Sequence, residues 1–376
     1  MAVGVRRLGR AVATFTTAFF LAISLGCVGL RLAPVAAVKN STLEQLGRNV
    51  HAMQLVRVQP LTPAEQASVR VLCWVNTYHK NHVSRLLSIK QTWGKKCDKL
   101  LFMSDIEDLS IPTVRIPAPP LHETLWQKHR EIVRLLLREY EAGKFDWVFK
   151  CDDDTFLLME NLKKYLLSPE IRAIPSSKPT LLGHRMTLQW YVGAVGWRPF
   201  GLWEMERSFH PFDEFDPKQV AAMLRVKAET QSHGGLYYTP GGGGYAMNWA
   251  YLKQLEASFD EPFCLPTKVV PDDWAISFCM RHHGVLPLDT RDELQRERFH
   301  QYDAEELYFK PYDEEAYDHR LFSSIYDENN WFSDHNGLGW KNGDNCCAPD
   351  SISFHYVKPP LMEAYHEYYY GAADDR

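Results

Sequence analysis

The chain has 376 residues, 45% hydrophobic and 24% charged, with 42 Lys and Arg against 47 Asp and Glu. Such a composition is globular and excludes a disordered, collagen-like or coiled-coil protein. With a net charge of −5 and no basic run, a general nucleic-acid binder is excluded as well.

Residues Ala11 to Leu30 carry no charged side chain. As a helix this stretch rises about 30 Å, the thickness of a bilayer core. Arg6, Arg7 and Arg10 precede it, while Arg31 and Lys39 follow. That excess predicts a cytosolic tail over residues 1–10 and a transmembrane signal anchor over 11–30. The alternative is a signal peptide cleaved near Val35-Ala36-Ala37. Either way the remainder is lumenal or extracellular. Residues 31–68, with Pro34, Pro60 and Pro63 and no strong period, read as a stem, and residues 69–376 as the lumenal domain. Asn40-Ser41-Thr42 is an N-glycosylation acceptor pattern just beyond the anchor.

From Val69 the texture changes. Val69 to Val75 reads as a buried strand, Val83 to Trp93 as a helix and Lys99 to Met103 as a second strand. This βαβ spacing predicts an α/β fold with a mixed, mostly parallel sheet. Leu125, Ile132, Val133, Leu136, Leu137 and Tyr140 then mark a longer amphipathic helix. A short apolar strand, Phe145 to Cys151, runs directly into Asp152-Asp153-Asp154. Residues 186–238 read as an insertion or long loop. Gly241 to Gly244 opens a helix through Trp249, Leu252 and Leu255. Ser351 to Val357 alternates, with Ile352, Phe354 and Tyr356 on one face and Ser353 and His355 on the other.

Eight cysteines without a CxxC pair argue against a zinc ribbon and, in an oxidising lumen, for disulfides. Cys73 with Cys97 and Cys264 with Cys279 are the natural local pairs. Cys346-Cys347 either bridge each other or join distant partners.

The acidic triad is the strongest chemical signal. Adjacent like charges repel by on the order of 1 kcal/mol per pair in water and more in a cleft. The end of a strand in an α/β sheet is also where ligands bind. A hard divalent cation, Mn²⁺ or Mg²⁺, would offset the repulsion; an acidic helix cap is the plainer explanation. His355, on the polar face of its strand, is the candidate additional ligand. Asp272 reads as an N-cap and Asp273 as a first-turn carboxylate able to act as a general base. Gly241–Gly244 allows close backbone approach to a ligand but lacks a P-loop ending. Lys90 and Lys128 are helix lysines able to meet a diphosphate.

Together these stretches resemble the core 1 β-1,3-galactosyltransferases, within the fringe-like β-1,3-glycosyltransferase group. The resemblance is carried by Cys73-Trp74-Val75 with Thr77, Thr92-Trp93 through Ser104, and Asp146-Trp147 through Thr155. It continues through Gly241–Tyr245, Asp272-Asp273 with Cys279, Asp289–Asp292, Phe299-His300, Cys346-Cys347 and Ser353–Val357. It implies a GT-A-type nucleotide-sugar-binding fold, Mn²⁺ as cofactor and a type II Golgi membrane protein. The implied reaction is inverting transfer of galactose from UDP-galactose to the 3-hydroxyl of GalNAc-α-Ser/Thr. Asp152 and Asp154 match the metal-binding DxD positions, His355 the metal histidine, and Asp273 the catalytic base, with Asp272 where Glu is common. Thr77, Lys90, Lys128, Asp152, Asp153, Gly242 and Gly243 are the expected donor contacts. The expected partners are the UDP-sugar, a GalNAc-bearing glycoprotein, the membrane and a second copy of the chain.

The chain departs from the family pattern at Cys151, where Ala is usual, in the length of 186–238, and around Tyr326–Trp331. These departures bear on the acceptor more than the donor. Rival readings are a fringe-like transferase with another donor and acceptor, and a non-catalytic, chaperone-like lumenal relative. The latter kind lacks the acidic triad.

Overall fold

A computed structural model describes residues 47–121, 124–140, 143–188, 190–193, 196–199, 236–261, 264, 272–309, 339 and 341–374. The expected anchor, the sequon and the run Tyr326–Trp331 lie outside these residues. Among the described residues no helix is long and apolar enough to cross a membrane.

The centre is a seven-stranded sheet. Its strands are β1 (Val71–Asn76), β2 (Lys99–Ser104), β3 (Thr113–Arg115), β4 (Trp147–Asp152), β6 (Leu181–Gly183), β11 (Tyr245–Asn248) and β12 (Leu288–Asp289). They lie in the order β12-β6-β11-β4-β1-β2-β3. All neighbours are parallel except β11, which runs against both β4 and β6. β1 and β4 are apolar because both faces are covered, as interior parallel strands require. A disulfide from Cys73 to Cys97 ties β1 to the turn before β2.

A three-stranded sheet flanks the end of β4. It joins β5 (Phe156–Leu157), β13 (Phe299–His300) and β14 (Ser353–Phe354) in the order β13-β14-β5. Two antiparallel pairs are the remaining strands among the described residues: β7 (Met186–Leu188) with β10 (Leu236–Tyr238), and β8 (Trp190–Gly193) with β9 (Gly196–Pro199). Segment 186–238, expected as a loop, thus begins and ends in strands.

Residues 47–53 are helical, and after them come the α-helices α1 (Pro63–Ser68), α2 (Leu87–Gln91), α3 (Leu125–Glu139), α4 (Met159–Leu166), α5 (Pro169–Arg172), α6 (Trp249–Ala257), α7 (Asp272–Arg281), α8 (Ala304–Phe309) and α9 (Leu361–Asp374). In α3, Trp126, His129, Ile132, Val133 and Leu136 are buried, the three- and four-residue stripe of a helix lying on a sheet. α3, α6 and α7 pack on one another.

Four expectations are corrected. Val83 to Trp93 is not one helix; a π-turn over His82–Leu86 precedes α2, and Thr92 leaves helical geometry. The glycine run does not open a helix, because β11 intervenes before α6. Tyr356 does not share the buried face of Ile352 and Phe354. Its φ is +56° and it is 43% exposed, so the alternation ends at His355. The boundary expected at residue 69 is no break in packing either, since Ala52, Met53 and Val56 belong to the core.

Candidate active site

A cleft of about 170 Å³ opens beyond the carboxyl ends of β1 and β4. Asn76, Lys150, Asp152, Gly242, Asp273 and His355 are among its lining residues. Separate stretches of sequence therefore converge, and each does so for a legible reason.

Asp152 is the last residue of β4, opposite Asn76 of β1. The chain then turns through Asp153 and Asp154 into β5, which pairs antiparallel with β14 so that Phe156 faces Phe354. This register carries His355 back beside Asp154: their Nε2 and Oδ1 are 3.2 Å apart, and Val357 donates its N–H to the Asp154 carbonyl at 2.8 Å. The Nδ1 of His355 lies 3.3 Å from the Gln301 carbonyl, so the ring is held from both sides.

The triad carboxylates have different surroundings. Asp153 is buried and accepts from Thr77 Oγ1 at 2.6 Å, Asn81 Nδ2 at 2.8 Å and Arg85 at 2.5 Å. Burial still raises its proton affinity above the ordinary value. Burial acts the same way on Asp154. There the His355 hydrogen bond, its charge and the Arg85 guanidinium, 3.2 Å away, outweigh it and hold the carboxyl below its usual range. Asp152 lies at the cleft with Lys150 Nζ 3.2 Å from Oδ1.

Asp273 sits in the first turn of α7. Burial first, then the neighbouring charge of Asp272, push its pKa up to about 7, against the pull of Lys150. Asp272, expected as the cap, is itself inside that first turn. The Cys264–Cys279 disulfide fastens α7 to the chain before it.

The glycine turn is packed rather than loose. A Cβ on Gly242 would stand 2.1 Å from the His355 ring, and one on Gly243 2.3 Å from Gln301 Nε2. The Gly242 carbonyl accepts from Thr155 Oγ1 at 2.7 Å, and Gly243 donates its N–H to Gln301 at 3.0 Å. Only glycine lets this turn lie against the triad and the histidine.

Lys128 is buried, and its ammonium donates to the Thr77 carbonyl. Burial lowers its pKa to about 8, with Asp105, Asp152 and Asp153 opposing. Lys90 is exposed on α2 and does not line the cleft. Sequence reasoning missed Lys150 and Arg85. The signal for Lys150 was available: a lysine inside an otherwise apolar buried strand needs a carboxylate partner. Burial lowers its proton affinity, but Asp152, Asp272 and Asp273 more than reverse this.

The donor set of Asp152, Asp154 and His355, two carboxylates and an imidazole, suits a hard divalent cation. As placed, the three do not converge, and no cluster of three His, Cys, Asp or Glu poised for a metal occurs among the described residues. Lys150 pairs with Asp152, and Arg85 with Asp153 and Asp154.

A mixed, mostly parallel sheet with an acidic triad beyond its strand ends fits a GT-A-like fold. A Fringe-like family model matches residues 67–194. The chain is 26% identical to glycoprotein-N-acetylgalactosamine 3-beta-galactosyltransferase 1 of Xenopus laevis over 295 residues, which are 78% of this chain and 64% of that one. It is 29% identical over 226 residues to a beta-1,3-glucosyltransferase of Mus musculus, covering 60% of this chain and 36% of the relative. For the beta-1,3-glucosyltransferase of Homo sapiens the identity is 32% over 211 residues, with 56% and 32% covered. This chain thus spans just under two thirds of the frog relative and about a third of the other two. Over residues 67–194 it is similar to the Fringe-like family, and over most of its length to a β3-galactosyltransferase of the core 1 kind, which is the resemblance its motifs carry.

Proposed function

We propose that the chain is an inverting, UDP-sugar-dependent β-1,3-glycosyltransferase moving galactose from UDP-galactose to the 3-hydroxyl of GalNAc-α-Ser/Thr in a Golgi lumen. One observation carries this reading. The cleft sets a proton-accepting carboxylate, Asp273, and a cationic and acidic group, Lys150 with Asp152 and His355, around one space. Inversion needs a single displacement, so a base on the acceptor side and charge neutralisation on the leaving side suffice.

With its pKa near 7, Asp273 can hold a proton taken from an acceptor hydroxyl and release it to solvent. Lys150 and Lys128 provide positive charge where a diphosphate would leave. Asp152, Asp154 and His355, two carboxylates and an imidazole, are the residues that would hold Mn²⁺. The metal, when bound, would supply Lewis-acid neutralisation of the diphosphate. Thr77, Asp153, Gly242 and Gly243 shape the donor side; Asp153, saturated by three protein donors, does so by holding Thr77, Asn81 and Arg85 in place.

The test is UDP release by the full chain with UDP-galactose, Mn²⁺ and a GalNAc-α-peptide, beside Asp154→Ala. Acceptor-dependent turnover that falls by at least about a hundredfold in the variant is expected. Turnover with UDP-glucose or UDP-GlcNAc alone would move the donor assignment toward the glucosyltransferase or another fringe-like relative. Silence of folded protein with every donor would end the enzyme reading.

A further inference from the structure

The base of the cleft has a second-row support that the sequence did not suggest. Helix α3 runs beneath both halves of the site, and two of its successive residues point to different halves. Neighbouring helix positions differ by about 100°, so Lys128 reaches the Thr77 carbonyl on the triad side while His129 turns toward α7. His129 Nδ1 lies 3.2 Å from Asp272 Oδ2. The imidazole is buried, with the Trp74 ring 4.6 Å away and the Trp126 ring 5.8 Å away.

The proton position follows from this cage. His129 Nε2 is buried and has no hydrogen-bond partner. A proton there would bury an N–H without an acceptor and leave the Nδ1 lone pair facing a carboxylate, both unfavourable. Burial also favours the neutral ring, although Asp272 opposes this. The single proton therefore sits on Nδ1 and is donated to Asp272. Buried and packed against both indoles, this donor has little rotational freedom to lose.

We propose that His129 is a positioning residue: by holding Asp272 from α3 it fixes the first turn of α7 and the aim of Asp273 into the cleft. Asp272 and Asp273 are adjacent in that first turn, so a bond that holds the one constrains the backbone that aims the other. Lys150 of β4 faces Asp272 and Asp273 from the sheet side, and His129 acts from the helix side. The role given to Asp273 rests on the transferase reading above. The hydrogen bond to Asp272 does not.

The experiment uses the full chain carrying His129→Leu, His129→Asn or His129→Gln. Asn places its amide nitrogen near the position of Nδ1, whereas Gln mimics Nε2. In His129→Leu, amide exchange of residues 272–276 should quicken about tenfold while β4 amides stay unchanged. The kcat of sugar transfer should fall roughly ten- to a hundredfold, with affinity for UDP within about twofold of the parent. His129→Asn should restore both readouts and His129→Gln neither. The proposal is overturned if His129→Leu leaves α7 exchange unchanged, if it changes exchange without changing kcat, or if Asn behaves like Leu. Should the parent chain transfer no sugar, the transferase reading fails by itself, and the exchange arm with Asn rescue still decides whether His129 fixes α7.

Discussion

Burial gives two carboxylates in this molecule opposite consequences. Asp273 keeps an open side on the cleft, so its raised proton affinity is available to chemistry. Glu297 is buried beside the isolated bridge to Cys347, with Oε2 unpartnered and His184 3.7 Å away. Burial pushes its pKa up to about 8, with Asp289 adding and Arg291 and Arg298 opposing. The folded chain therefore keeps a proton that the unfolded chain releases above about pH 4.5. Stability must then fall as pH rises from there toward 8, by up to roughly 1.4 kcal/mol for each pH unit. Glu297→Gln is neutral at every pH and nearly the same shape. Melting curves at about pH 5.5 and pH 8.5 should show the variant losing less on the alkaline side than the parent. Equal losses would mean that Glu297 is ionised in the folded protein.

At the scale of elements, the site is a meeting of three turns: β4 into β5, the glycine turn into β11, and β14 into Tyr356. Gly242 is where two of them touch. A methyl group there would overlap His355, whose ring is held by Asp154 and Gln301 and stacked on Tyr356 at 3.9 Å. Gly242→Ala should therefore cost about 1–3 kcal/mol of stability, as overpacking does. It should also weaken UDP binding in the presence of Mn²⁺, measured by calorimetry. An unchanged melt and unchanged binding would show that the turn can move aside.

The same elements show what sequence makes visible. β1, β2 and β4 were legible because each is a continuous apolar run, and the triad because a strand end is a ligand position. Tyr245 to Asn248 was hidden: four residues between a glycine turn and a helix carry too little pattern to mark a strand. The departure of Tyr356 was equally invisible, since a positive φ at a non-glycine residue is fixed by packing and not by local propensity. Lys90 looked like Lys128 in sequence. Only the direction of its helix puts it at the surface.

For the whole molecule, the decisive contact is between segments far apart in the chain. The segment read as stem lacks a clear period, yet it is part of the domain because its bonds go to distant partners. Asn49 accepts from the Tyr365 hydroxyl at 2.5 Å and from the Glu305 N–H at 2.8 Å. Tyr369 of α9 donates to the Met53 carbonyl at 3.2 Å, and Arg57 donates its N–H to the Pro349 carbonyl at 2.8 Å. Asn161 of α4 then joins the Arg57 carbonyl, the Gln59 N–H and the Ser351 carbonyl. Through Ser351 this clasp supports the approach to β14, and β14 positions His355. A chain beginning at residue 69 would lose the buried Ala52, Met53 and Val56 side chains, worth on the order of 4 kcal/mol. It would also take the Asn49 and Met53 acceptors from the Tyr365 and Tyr369 hydroxyls of α9. A chain beginning at residue 47 should melt cooperatively and bind UDP, while one beginning at residue 69 should melt at least about 10 °C lower and bind UDP more weakly. Equal melting of the two would show that the clasp is dispensable and return residues 47–68 to the stem.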